Sequence, residues 1–172
     1  MRIKVITPGQ NPALAAQEAQ IMAERGRISP LYGVLLNSPP IAHGWEQMLS
    51  AVRNRNSLPA GLRELVILRV AVLNRAPYEF DAHVPHALAA GVSALAVEAT
   101  RQIPLAADAP FSAAEAVALR LTDAMTRDIE VPDVLFEEVR QHFNTQGQID
   151  LTATVAAYNM VSRFLVALHI GH

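Results

Sequence analysis

Between residues 65 and 73 the chain reads LVILRVAVL, nine residues in which only Arg69 interrupts an unbroken apolar run. A helix that is apolar on all sides has no solvent face, so it must be enclosed by several neighbours. That requirement constrains the fold more than any other stretch, because the remaining segments have to be arranged around this one. They are suited to it. The apolar fraction is 51% and aromatics are only 5%, so Ala, Leu, Val and Ile supply the core. Such a composition favours closely packed helices. At 172 residues, the chain is expected to be one domain, residues 1–172.

Proline marks most of the boundaries, since its ring cannot donate to a helix ladder. NPALAAQEAQIMAERG predicts a first helix with Asn11 as N-cap and Gly26 as stop. SPLYGVLLNS predicts a short apolar helix or turn. PPIAHGWEQMLSAVRN predicts a helix with Ile41, Trp45, Met48, Leu49 and Val52 on one side. The apolar run belongs to SLPAGLRELVILRVAVLNR, with Ser57 as the expected cap. APYEFDAHVPHALAAG follows and closes at Gly91, then VSALAVEATRQ, capped at Ser93. FSAAEAVALRLTDAMTRD opens with the capping-box pair Ser112 and Glu115. PDVLFEEVRQHFN predicts an amphipathic helix that places Val134, Leu135, Val139 and Phe143 at helical spacing. A long apolar helix capped by Asp150 is expected at the end. IKVI near the start is the one plausible strand. The expected fold class is all-α.

Composition also narrows function. A net charge of −2 with no basic stripe gives no reason to expect a nucleic-acid partner. The absence of cysteine excludes disulfides, thiolate ligands and thiol nucleophiles. The opening MRIKVITPGQNP lacks a run of signal-peptide length. No stretch is read as approaching the ~18 uncharged apolar residues of a membrane span, so no membrane association and a cytoplasmic location are expected. Several helices apolar on most faces, in a chain this small, point to a homo-oligomer that hides one of them.

Chemistry concentrates on two consecutive helices. Glu64 lies among Leu62, Leu65, Val66, Ile67 and Leu68, where a carboxylate is costly unless it is paired or protonated. On the next helix Glu79, His83 and His86 are spaced four and then three apart and share a face, with Tyr78 and Asp81 on its flanks. Pro85 falls inside this helix and is expected to bend it where these residues cluster. The pattern alone admits several uses. Glu64 could be a surface partner of Arg63 or Arg69, and Glu79 with His83 an ordinary i, i+4 pair. The trio could also ligate zinc or iron, but three ligands on one helix converge poorly and no second helix offers a fourth, so no metal and no cofactor are expected. His43, His142, His169 and His172 stand alone and read as structural or solvated.

Residues 58–93, LPAGLRELVILRVAVLNRAPYEFDAHVPHALAAGVS, closely resemble the core motif of the carboxymuconolactone decarboxylase and alkylhydroperoxidase D family. The likeness continues more loosely upstream through NSPPIAHGWEQML, which leaves 1–38 as an N-terminal extension. In the family's redox branch a Glu precedes two cysteines and a His. Carried across in register, these are Glu64, Ala76, Glu79 and His83. The relay residues are present and both sulfurs are missing, so thiol-based peroxide reduction is not expected of this chain. YEFDAH resembles the cysteine-free, lactone-decarboxylating form.

The resemblance implies an alkylhydroperoxidase D-like helical domain, assembled as a trimer or hexamer. It also implies a cofactor-free acid/base enzyme acting on a small carboxylated or lactone-type metabolite. His83 is then the proton donor, Glu64 its orienting partner and Glu79 the group that sets local charge. Tyr78, His86 and Arg69 are the expected substrate contacts. The rival from another class is a non-catalytic oligomeric binding or scaffold protein, whose mark would be Glu64 and His83 pointing apart or sealed by packing.

Overall fold

The computed structural model describes residues 1–171. A 3₁₀ turn, Pro12–Leu14, leads into α1 (Ala15–Arg25), and α2 (Pro30–Leu35), α3 (Pro39–Asn54), α4 (Ala60–Leu73), α5 (Pro77–Ala89) and α6 (Ala94–Ala99) follow. After them come α7 (Ala113–Asp123), a π-helical turn over Ala124–Asp128, α8 (Asp133–His142) and α9 (Thr145–Leu168). Among the described residues there is no strand, and IKVI runs as irregular chain along α2, with the Ile6 amide donating to the Gly33 carbonyl.

The enclosed helix is α4. It packs against α5, α7 and α9 together, and Leu65, Val66, Ile67, Leu68 and Val70 are all buried. Each such side chain contributes about 1.5–3 kcal/mol on burial, which makes α4 the axis of the molecule. α9 is long and apolar enough to cross a bilayer by length and composition, which corrects the reading that no segment is. In this fold it is a core helix, burying Leu151, Val155, Tyr158, Val161 and Leu165 against α3 and α4.

Local signals held where nothing competed with them. Asn11 accepts from the Ala13 amide, Ser93 from Ala96, and both hydrogen bonds of the Ser112–Glu115 capping box form. Gly26 ends α1 at φ 71°, left-handed backbone that a Cβ disfavours. Ser57 and Asp150 were expected as caps, and neither is one. α4 begins at Ala60 behind Pro59, and α9 begins a turn and a half early, capped by Asn144. The two residues bind each other instead: the Ser57 amide and hydroxyl both donate to Asp150 Oδ2, at 2.7 Å each. A tertiary tie between α9 and the α3–α4 connection replaces two local ones.

Along α3 the buried stripe is Ala42, Trp45, Glu46, Leu49, Ser50 and Val52. Ile41 and Met48, expected to face inward, are 56% and 45% exposed. The displacement arises because α3 turns a polar pair inward. Glu46 accepts from Ser50 Oγ at 2.5 Å, from Arg25 Nε at 3.1 Å and from the Tyr32 hydroxyl. This buried carboxylate fastens α1, α2 and α3 to one another. On α8, Val134 is likewise exposed, while Val139 is buried.

Arg69, expected at the substrate, is instead 0% exposed. Its guanidinium forks onto Asp123 with two 2.6 Å bonds and also donates to the carbonyls of Thr100 and Gln102. With these donors engaged inside the α4–α7 contact, Arg69 is a structural bridge. Breaking such a pair leaves an uncompensated buried charge, which costs several kcal/mol. Asp123→Asn is therefore expected to lower the free energy of unfolding by about 3 kcal/mol, measured by urea denaturation. A loss below about 1 kcal/mol would contradict the bridge.

Candidate active site

α4 and α5 are antiparallel neighbours joined by a tight turn at Asn74–Ala76, with Arg75 in left-handed backbone at φ 55°. The turn sets α5 so that its His83 faces Glu64 on α4. His83 Nδ1 lies 2.6 Å from Glu64 Oε2, and Nε2 lies 3.2 Å from Glu79 Oε1. All three side chains are buried, Glu64 to 3% exposure. The reading of Glu64 as a surface partner of Arg63 or Arg69 is thereby overturned. The imidazole is bracketed by two carboxylates, one from each helix, and Tyr158 of α9 meets the ring edge-on with centroids 5.2 Å apart.

Electrostatics follow from this bracket. Burial works against charge on Glu64, but the hydrogen bond and charge of His83, with the charge of Arg53, outweigh it. The carboxyl is held below its ordinary 4.5. Burial likewise opposes charge on His83, and the bonds to Glu64 and Glu79 overcome it, so the imidazole is raised above 6.5. His86, with its ring 5.7 Å from that of His83, moves the other way: burial and the charges of Arg53 and His83 hold it below 6.5. His83 therefore holds its proton to higher pH than His86 does. Burial also raises the hydroxyls of Tyr78 and Tyr158, which stay protonated.

The bracket forms one wall of a cavity of about 590 Å³. Glu79, His83, His86 and Tyr78 line it from α5, and Tyr158 and Val161 from α9. The opposite wall comes from residues that the motif did not point to: Arg25, Arg27, Leu31 and Tyr32 of the N-terminal segment, with Trp45, Leu49 and Arg53 of α3. Pro85 also faces the cavity. Arg69 does not, for the reason given above. Of the isolated histidines, His43 and His142 are exposed and His172 lies outside the described residues. Tyr78 is braced from behind by Gly171, where a Cβ would fall 2.1 Å from the ring.

Among the described residues no three His, Asp or Glu are placed to hold a metal ion. Glu64 and Glu79 bind opposite nitrogens of one ring, so their oxygens diverge from any common point. What the arrangement can do is move a proton along the line Glu64, His83, Glu79, with the Glu79 end at the cavity.

The two opposed shifts bound a stability window. Glu64, depressed on folding, contributes stability that is present above 4.5 and lost as pH falls through its lower folded value. His83, raised on folding, contributes stability that is present below 6.5 and lost as pH rises through its higher folded value. The stability of the wild type relative to Glu64→Gln, from urea midpoints, is expected to be greatest between those limits. The His83 ring proton in NMR is expected to titrate above 6.5 in wild type and lower in the variant. A wild-type His83 titrating at or below its ordinary value would contradict the bracket.

Comparison with known proteins bears on the fold and the family. No curated protein matches the chain in sequence. The fold is that of the debrominase Bmp8 solved with 2,3,4-tribromopyrrole, at TM-score 0.80 and 15% identity, covering 98% of this chain and 90% of that one. It is also that of an uncharacterized peroxidase-related protein from Ralstonia eutropha with an alkylhydroperoxidase AhpD core, at TM-score 0.82 and 18% identity, covering 96% and 88%. A protein of unknown function from Agrobacterium tumefaciens aligns at TM-score 0.73 and 23% identity, covering 80% and 94%. These likenesses establish an all-helical AhpD-like fold. The profile of the carboxymuconolactone decarboxylase family matches residues 39–124, half of the chain, and takes in Glu64, Glu79 and His83. The chain belongs to the carboxymuconolactone decarboxylase family.

Proposed function

We propose that this chain is a cofactor-free acid/base enzyme, similar to carboxymuconolactone decarboxylases, acting on a small carboxylated or lactone-type metabolite. The observation that carries the reading is the imidazole held between two carboxylates at a cavity wall. When a carbon–carboxylate bond breaks, CO₂ leaves and the electron pair stays on carbon as a carbanion or enolate. That carbon must then receive a proton. The two carboxylates favour the protonated form of His83, which can then supply that proton.

Geometry refines the roles. Glu64 fixes the ring through Nδ1 and stabilises its charge. Nε2 already faces Glu79, so the proton passes from Nε2 through the Glu79 carboxyl to the substrate carbon. Water restores it afterwards. Glu79 is therefore the group in contact with substrate, and it stands where the redox branch carries its second cysteine. Tyr158 holds the plane of the ring, and Tyr78 and His86 offer polar contacts on the same wall. Exposed Ile41 and Met48 on α3 support the homo-oligomer expected of the sequence, which light scattering would measure as a trimer or hexamer.

The reading predicts CO₂ release or ring opening with some member of a panel of carboxylated lactones. It also predicts no peroxidase activity with a dithiol donor. His83→Ala and Glu79→Gln are each expected to reduce kcat by about 10²-fold or more, with the melting temperature used to confirm folding. Glu64→Gln is expected to reduce it about tenfold and to shift the pH profile toward acid. Absence of turnover across the panel, or turnover that survives all three substitutions, would remove the support for an enzyme.

A further inference from the structure

Around the cavity, most charges are already matched. Glu64 and Glu79 share His83 and keep a net negative charge, Arg25 is taken by Glu46, and Glu24 is taken by Asn54 and Arg55. Two cations are left. Arg53, in the last turn of α3, and Arg27, in the connection from α1 to α2, both line the cavity. Among the described residues no carboxylate pairs with either. Their fields overlap on α5: Arg53 and Arg27 both act on His86, Arg53 also on Glu64, and Arg27 on Tyr78. The cavity thus has a basic side from the N-terminal helices and an acidic side from the bracket.

Two unpaired guanidiniums sharing a pocket repel each other, and an anion between them removes that repulsion while accepting charge-assisted hydrogen bonds. Their planar forks suit an oxyanion. We propose that Arg27 and Arg53 form an oxyanion subsite that binds a carboxylate or phosphate end of the substrate and directs its other end at Glu79 and His83. The second half of that statement rests on the acid/base reading; the first does not. Arg53 lies within the residues matched by the family profile and Arg27 outside them, so the subsite joins α3 to the N-terminal segment. On the facing α5 wall, His86 and the Tyr78 hydroxyl offer further polar contacts to the same anion.

Trp45, the only tryptophan, lines the cavity and serves as a built-in fluorescence reporter. Benzoate and phenyl phosphate are the oxyanion probes, and benzamide is the uncharged control. At least one oxyanion is expected to bind about tenfold or more tightly than benzamide, with affinity falling as salt rises. Whichever of the two binds better names the oxyanion. Arg27→Gln and Arg53→Gln should each weaken that binding by about tenfold and leave benzamide unchanged, while Arg53→Lys should recover part of the loss. Neither arginine is fully buried, so both variants are expected to fold. Oxyanions binding no better than benzamide, or both Gln variants binding like wild type, would overturn the subsite. In His83→Ala, retained oxyanion binding upholds the subsite whatever becomes of turnover, so the two readings fail separately.

Discussion

The 2.6 Å contact between Glu64 and His83 joins the two helices on which the rest depends. α4 is enclosed on every side, and a carboxylate on such a helix must either reach solvent at its end or find a partner in the interior. Glu64 does the second. Its partner lies on α5, the helix packed most closely against α4, and the bond fixes the rotation of α5 about its own axis. With that rotation set, Glu79 and His86 face the cavity and Phe80 and Ala87 turn into the core. A desolvated ion pair is an uncertain source of stability. Its value here is geometric: it gives the imidazole one orientation and leaves Glu79 on its open side.

The opposite wall is built on a second buried carboxylate. Glu46 gathers Arg25, Tyr32 and Ser50, and so ties three helices that otherwise share modest apolar contact. The cavity therefore lies between two polar clusters of different construction. One is a carboxylate–imidazole–carboxylate line able to exchange protons. The other is a carboxylate whose charge is consumed by its guanidinium and hydroxyl neighbours. Arg25 belongs to the second cluster although it lines the cavity, which is why it differs in character from Arg27 only two residues later.

How much of this was legible in the chain depends on the range of the interaction. Helices, their order and several caps follow from local pattern, because Asn11, Ser93 and Ser112 have no better partner than the nearest amides. Ser57 and Asp150 had one: each other, 93 positions apart. Spacing along the chain cannot show that. Glu64, Glu79 and His83 were readable as a group, since a lone acid in an apolar helix and an i, i+4 pair on the next one invite joining. Arg69 was misread because burial of a guanidinium depends on Asp123 and two carbonyls arriving from α7 and the segment after α6. Arg27 and Arg53 carried no local signal at all. Only the fold brings them to one cavity, where Arg27 stays exposed and Arg53 is half-buried.

In the redox branch that residues 58–93 resemble, a cysteine takes the position of Glu79. A thiol there would wear out by successive oxidation and would need a reductase to restore it after each cycle. A carboxylate needs neither electron donor nor repair, and its competence is the same in an oxidising or a reducing surrounding. With a carboxylate at that position and no cysteine in the chain, the cavity holds no thiol whose state could follow the redox balance around it.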